Sequence, residues 1–169
     1  MWHLECTAIA GKRTRTVSAM QLTRAADYAI RVMIHLAGLP QGARASRAEL
    51  AGVAECPEQF LSKVLQSLTR SGLVNSHRGN TGGFELPRIH RTASLLQVVE
   101  AIEGPIRLNI CLDSERSCQR QDNCPSFPIW AEAQQALVNV LKSATIGELA
   151  ERMAPAGKDG TVVEIPKWN

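Results

Sequence analysis

The chain has 169 residues, 44% of them hydrophobic, a formal net charge of +3 and five cysteines, enough for one domain with a real core. No run of eighteen apolar residues occurs and residues 1–19 lack the apolar segment of a secretory signal, so neither a membrane helix nor export is expected, and the thiols are read as reduced in a cytoplasm. Residues 1–92 carry 12 Lys and Arg against 6 Asp and Glu while residues 93–169 carry 7 against 10, so the basic first half suits a polyanion partner.

Residues 1–19 are basic and patternless and are set aside as an N-terminal extension, expected to be disordered. LTRAADYAIRVMIHLAGLP follows, with Leu22, Ala26, Ala29, Ile30, Met33, Ile34 and Ala37 at helical spacing and Gly38 and Pro40 as stop signals. Ser46 and Glu49 form a capping-box pair ahead of a short helix to about Ala54. Pro57 suits the first turn of a second, longer helix whose Phe60, Leu61, Val64, Leu65 and Leu68 make one apolar stripe, ended by Gly72. Two helices around a tight turn are a helix-turn-helix candidate. LVNS and FELP, flanking the glycine-containing RGNTGG, read as a hairpin, and a hairpin at this place is a wing.

SLLQVVEAIEG (94–104) is a further amphipathic helix. The polar loop CLDSERSCQRQDNC (111–124) comes next, then the long helix FPIWAEAQQALVNVLKSA and a short one opened by the capping pair Thr145 and Glu148. The tail from Ala154 mixes Pro, Gly and charge and is expected to be loose. The expected fold is mainly α with a small β-wing. It divides into a winged helix-turn-helix domain over 20–92, the cysteine loop and long C-terminal helix with its neighbours over 93–153, and a flexible tail over 154–169.

Base edges in the major groove are read by hydrogen bonds, so a recognition helix needs polar side chains opposite its apolar stripe. With that stripe turned inward, Gln59, Ser62, Lys63 and Gln66 point out; Gln59, Ser62 and Lys63 are the candidates for base contacts. Arg78 on the wing is a candidate for the minor groove, and Arg47, Arg70 and Arg24 for phosphate contacts. Each has a plain alternative as part of a solvated face. His77 and His90 flank the wing and can touch phosphate, whereas His35 reads as an ordinary helix histidine.

Cys111, Cys118 and Cys124 stand among Ser, Asp, Glu, Arg and Gln, where cysteine has no core to fill. Their gaps of six and five residues differ from the close pairs of zinc knuckles. Thiolates are soft ligands suited to an iron-sulfur cluster, [4Fe–4S] or [2Fe–2S], and three of them leave one position for another donor. Cys6 and Cys56 read as incidental.

MQLTRAADYAIRVMIHLA, FLSKVLQSLTRSGLV, SHRGNTGGFEL and the cysteine loop followed by FPIW resemble the NsrR/IscR family of bacterial iron-sulfur transcription regulators, over about residues 20–153. The resemblance implies a winged-helix homodimer joined through the long helix after the cysteine loop, bound to an inverted-repeat operator in double-stranded DNA. It implies an iron-sulfur cluster on Cys111, Cys118 and Cys124, sensing nitric oxide or redox state, in a protein that acts as a repressor. In the IscR branch a histidine follows three residues after the third cysteine; here that residue is Phe127. NsrR-like members use an aspartate on the first helix, reaching the partner's cluster, and Asp27 stands at that position. The plain alternative for Asp27 is an i, i+4 pair with Arg31. The six-residue first gap departs from the usual five. The competing reading is a cluster-free DNA-binding regulator using the cysteines as a thiol switch or zinc site. An enzyme is not expected, since a Gly-rich phosphate loop, a CxxC pair and a nucleophile signature are lacking.

Overall fold

The computed structural model describes residues 22–79, 82–113 and 118–153. The N-terminal extension, the tail from Ala154, Cys6, two residues of the expected wing turn and the segment 114–117 of the cysteine loop lie outside the described residues. Among the described residues the architecture is helical with one two-stranded antiparallel sheet, as expected.

Helix α1 (Arg24–Gly38) starts one residue after Thr23, whose side chain accepts the Ala26 N–H. Leu22, expected to open the apolar stripe, therefore precedes the helix and is exposed. Ala26, Ala29, Met33 and Ala37 are buried, but so are Val32 and Leu36, while Ile30 and Ile34 are only half-buried. The cause is position: α1 packs against the next two helices and two later ones, so it needs a wider apolar face than one stripe provides.

Helix α2 (Arg47–Ala54) is capped by Ser46, whose hydroxyl accepts the Glu49 N–H at 3.1 Å. The Glu49 carboxylate turns toward His35 instead, at 3.3 Å. The turn after α2 passes through Glu55, in the left-handed region at φ +54°. Pro57 is the N-cap of α3 (Glu58–Arg70) rather than its first residue. Leu61, Val64, Leu65 and Leu68 are buried as expected, but Phe60 is 57% exposed, a correction to the expected stripe. It lies about 100° around the helix from Leu61, outside the arc on which Leu61, Val64, Leu65 and Leu68 are buried. Gly72, at φ +77°, lets the chain leave α3 in a conformation that a Cβ resists.

The wing pairs β1 (Asn75–His77) with β2 (Gly83–Glu85), Ser76 opposite Phe84. Leu73, Val74 and Leu86, expected within the strands, lie just outside them and enter the core. Ala45, from the connection before α2, adds a rung: its N–H donates to the Phe84 carbonyl at 3.0 Å and its carbonyl accepts the Phe84 N–H at 2.9 Å. A Cβ on Gly83 (φ +152°) would stand 2.8 Å from the Ala45 oxygen, so glycine permits this close approach.

Helix α4 (Leu95–Glu103) opens with a full Ser94–Gln97 capping box and buries Val98 and Val99. Helix α5 (Phe127–Ser143) follows the cysteine loop, and α6 (Ile146–Met153) returns to α1 through the buried Ile146 and Ala150. The Thr145–Glu148 capping box forms as expected, with bonds of 3.3 and 3.1 Å. Arg91, on a turn after the wing, donates to the Ala37 carbonyl and ties that turn to the end of α1. Helix α5 differs from the rest. It packs mainly on α4 and the turn at Ile110–Leu112, and none of its residues is buried; Ile129 and Val140 are about two-thirds exposed and Trp130 is half-buried. Among the described residues no helix is long and apolar enough to cross a membrane.

Candidate functional site

The outward face of α3 carries Gln59, Lys63 and Gln66, all exposed. Ser62 is half-exposed, and its hydroxyl donates to the Glu58 carbonyl at 2.9 Å, a local bond that any base contact must replace or share. Arg47 is engaged as well: its Nε lies 3.0 Å from Glu58 Oε2, with both side chains about half exposed. Such a pair exchanges readily for a phosphate because exposed ion pairs contribute little.

Between α3 and the wing lies a groove of about 490 Å³, walled by Arg47, Ser62, Gln66, Thr69, Arg70 and Ser76 with Leu65 and Phe84 contributing apolar surface. Three of the predicted contacts thus line one groove: Arg47, Ser62 and Arg70; Lys63 lies about 100° further around the same helix. Arg78 is exposed on the wing, and Arg24 is exposed at the start of α1, away from this group in sequence. His77 is turned elsewhere: its Nε2 lies 2.8 Å from Glu85 Oε2 in a contact whose geometry falls short of a hydrogen bond.

Asp27 sits in the first turn of α1, half exposed, with Oδ2 3.0 Å from Arg31 Nη2. The other arm of the same guanidinium donates to Glu55 Oε2 at 3.0 Å. One arginine therefore joins Asp27 to the turn of the helix-turn-helix. The Glu55 hydrogen bond first, then the Asp27 charge, hold Arg31 above its usual value and firmly protonated. Neighbouring Cys56 is half-buried, and burial pushes its thiol up against the opposing effect of the Arg31 charge. The i, i+4 spacing of Asp27 and Arg31 was legible; the Glu55 connection was not, since it spans 24 residues.

The approach to the cysteine loop is tied at two points, at the end of α4 and at Leu108. Glu103 Oε1 accepts the Thr23 N–H at 2.7 Å, and the Leu108 N–H donates to Gln134 Oε1 on α5 at 3.2 Å. Cys111 lies in a single 3-10 turn, Ile110–Leu112, and Cys124 closes another, Gln121–Asn123, directly before α5. All three loop cysteines are unpaired and half-buried, more covered than their polar neighbours suggested. Cys124 Sγ is 3.2 Å from Ser126 Oγ. That hydroxyl, then the Ser126 and Phe127 N–H groups opening α5, lower its thiol below the usual range, as a helix N-terminus does. Among the described residues no three His, Cys, Asp or Glu side chains converge as a ligand set within the chain.

The Rrf2 family model, described as iron-dependent transcriptional regulator, matches residues 22–152. Protein aau3 of Rhizobium meliloti is 35% identical over 134 residues, covering 78% of this chain and 86% of that one. A protein named as an HTH-type transcriptional regulator of Mycobacterium tuberculosis is 32% identical over 142 residues, covering 80% and 84%. Among solved structures, CymR, the global cysteine regulator of B. subtilis, superposes with a TM-score of 0.63 at 26% identity, covering 78% of this chain and 97% of that one. T. potens IscR gives 0.62 at 20% identity, covering 78% and 87%, a likeness of fold. With a family match running from before α1 into the last turn of α6 and across the wing, the chain is a member of the Rrf2 family of winged-helix transcription regulators, which are DNA-binding proteins and not enzymes.

Proposed function

We propose that this Rrf2 protein is a cytoplasmic homodimeric repressor. Its affinity for an inverted-repeat operator is controlled by an iron-sulfur cluster held by Cys111, Cys118 and Cys124 of one chain and by Asp27 across the dimer. The observation that carries the reading is the Asp27–Arg31–Glu55 chain of contacts, which connects a candidate ligand to the turn that aims α3. The donor set fits such a group: three half-buried thiols in one loop, with Cys124 already biased toward the thiolate. Two of the cysteines lie in or beside single 3-10 turns, and because the described thiols do not converge, cluster binding requires the loop to close around the group. When bound, the cluster supplies iron that reacts with nitric oxide or oxidants.

The chain's own residues transmit the state. While Asp27 is engaged across the dimer, Arg31 has Glu55 as its remaining carboxylate; when Asp27 is released, the guanidinium divides between the two. Either arrangement sets the tension on a turn already in a left-handed conformation, and α1 packs directly on α2 and α3. Emptying a nearly full operator needs a difference of roughly 5.5 kcal/mol between the states. The exposed apolar residues of α5 are the surface available for a second copy.

Anaerobic purification tests the reading: a brown protein with iron and acid-labile sulfide supports it. A colourless protein whose operator affinity follows thiol oxidation, or which holds zinc, supports the second reading, a thiol-based regulator. The lowering of the Cys124 thiol by Ser126 and the likeness to a cysteine regulator favour that alternative.

A further inference from the structure

Phe60 belongs to the first turn of α3, yet it is 57% exposed while Leu61, Val64, Leu65 and Leu68 are nearly or fully buried. Its sequence neighbours toward solvent are Gln59 and Lys63, both exposed and polar. A large aromatic ring left in water beside two hydrogen-bonding side chains of the same turn is not explained by the core, which the four aliphatic residues already fill. The wing does not cover it, since it lies on the flank of α3 opposite Ser62 and Thr69, which face the groove.

The N-terminal turn of a recognition helix enters the major groove most deeply. The groove floor there offers donors and acceptors and one apolar feature, the 5-methyl group of thymine. We infer that Phe60 reads a thymine methyl group, as a specificity-determining residue beside the hydrogen-bonding Gln59 and Lys63. The inference deepens the DNA-binding role of α3 stated above and rests on it. Bound DNA would then remove the ring from water, and the positive charge of Lys63, one turn further along α3, suits a neighbouring phosphate. In this arrangement Gln59 and Lys63 distinguish bases by polar pattern, and Phe60 separates thymine from cytosine at a position where a polar side chain would not.

The test uses the full-length protein. Binding sites are first selected from a random duplex pool, and each thymine of the selected site is then replaced singly by deoxyuridine, which removes only the methyl group. Wild type should lose about fourfold in affinity at one position in each half-site, the equivalent of one buried methyl group. Phe60→Ala should bind the thymine site more weakly and bind the thymine and deoxyuridine versions of that position equally. Phe60→Leu, which keeps an apolar surface, should retain part of the discrimination. Full thymine preference in Phe60→Ala overturns the inference, as does wild-type indifference to deoxyuridine at every position. Weakened self-association in Phe60→Ala with the thymine preference intact would assign the ring to a second copy of the chain and overturn it too. If wild type enriches no sequence from the pool, the reading of α3 as a DNA helix fails first.

Discussion

Arg31 Nη1 lies 3.0 Å from the carboxylate of Glu55, the one non-glycine residue with positive φ among the described residues. A central helix thus grips the turn that sets the angle of α3 at the point where the turn's backbone is least comfortable.

Glu55→Gly separates backbone strain from the grip. Glycine removes a left-handed penalty of about 1 kcal/mol, and the lost ion pair is largely exposed and weak. Urea unfolding should therefore show an unchanged or modestly higher stability. Operator affinity should nonetheless become less dependent on cluster state, since Arg31 no longer reaches the turn; a variant as responsive as wild type would sever the proposed link.

Asp27→Ala removes one weak oxygen donor and leaves three thiols. Iron content should be largely kept while the visible circular-dichroism spectrum and the rate of reaction with nitric oxide change. Cys111→Ala, Cys118→Ala and Cys124→Ala should each sharply lower iron, and Cys56→Ala should not. If Asp27→Ala matches wild type throughout, Asp27 is simply the partner of Arg31.

Cys124 and Cys56 should titrate in opposite directions in the metal-free protein. Ser126 and the start of α5 lower the first; burial raises the second. Alkylation followed by mass spectrometry should label Cys124 at lower pH than Cys56, and Ser126→Ala should return Cys124 toward the ordinary thiol range. Because the folded value of Cys124 lies below the unfolded one, its linked stabilisation is complete only above the ordinary thiol range. It fades as pH falls through the lowered folded value.

Val140 on α5 is 66% exposed, whereas Leu68 on α3 is fully buried. Leu68→Ala should cost about 2–5 kcal/mol in chemical unfolding. Val140→Arg should leave secondary structure intact and shift sedimentation from dimer toward monomer; a variant that stays dimeric would move the interface off α5.

Lys63→Ala or Gln59→Ala should relax sequence preference by roughly 1–3 kcal/mol at one base position while sparing affinity for random DNA. Equal loss on all duplexes, with a reduced salt slope, would place that residue on phosphate.

What the sequence by itself determined is what short-range periodicity and capping encode. The two helices around a turn, the stop at Gly72, the hairpin after it and the Thr145–Glu148 cap all depend on residues a few positions apart, and a hydrophobic stripe announces itself through a 3.6-residue period. The loop cysteines stood out because their neighbours are polar, but their half-burial was decided by the fold. Tertiary structure alone decided which faces are covered and which distant groups meet. Val32 and Leu36 are buried because α1 is surrounded on more than one side, and Phe60 is exposed because it falls outside the buried arc of α3. The Ala45 rung on Phe84, the Leu108–Gln134 bond and the Arg31–Glu55 pair join segments far apart in sequence. No local pattern encodes such meetings; they exist only once the helices have packed and fixed the distances between them.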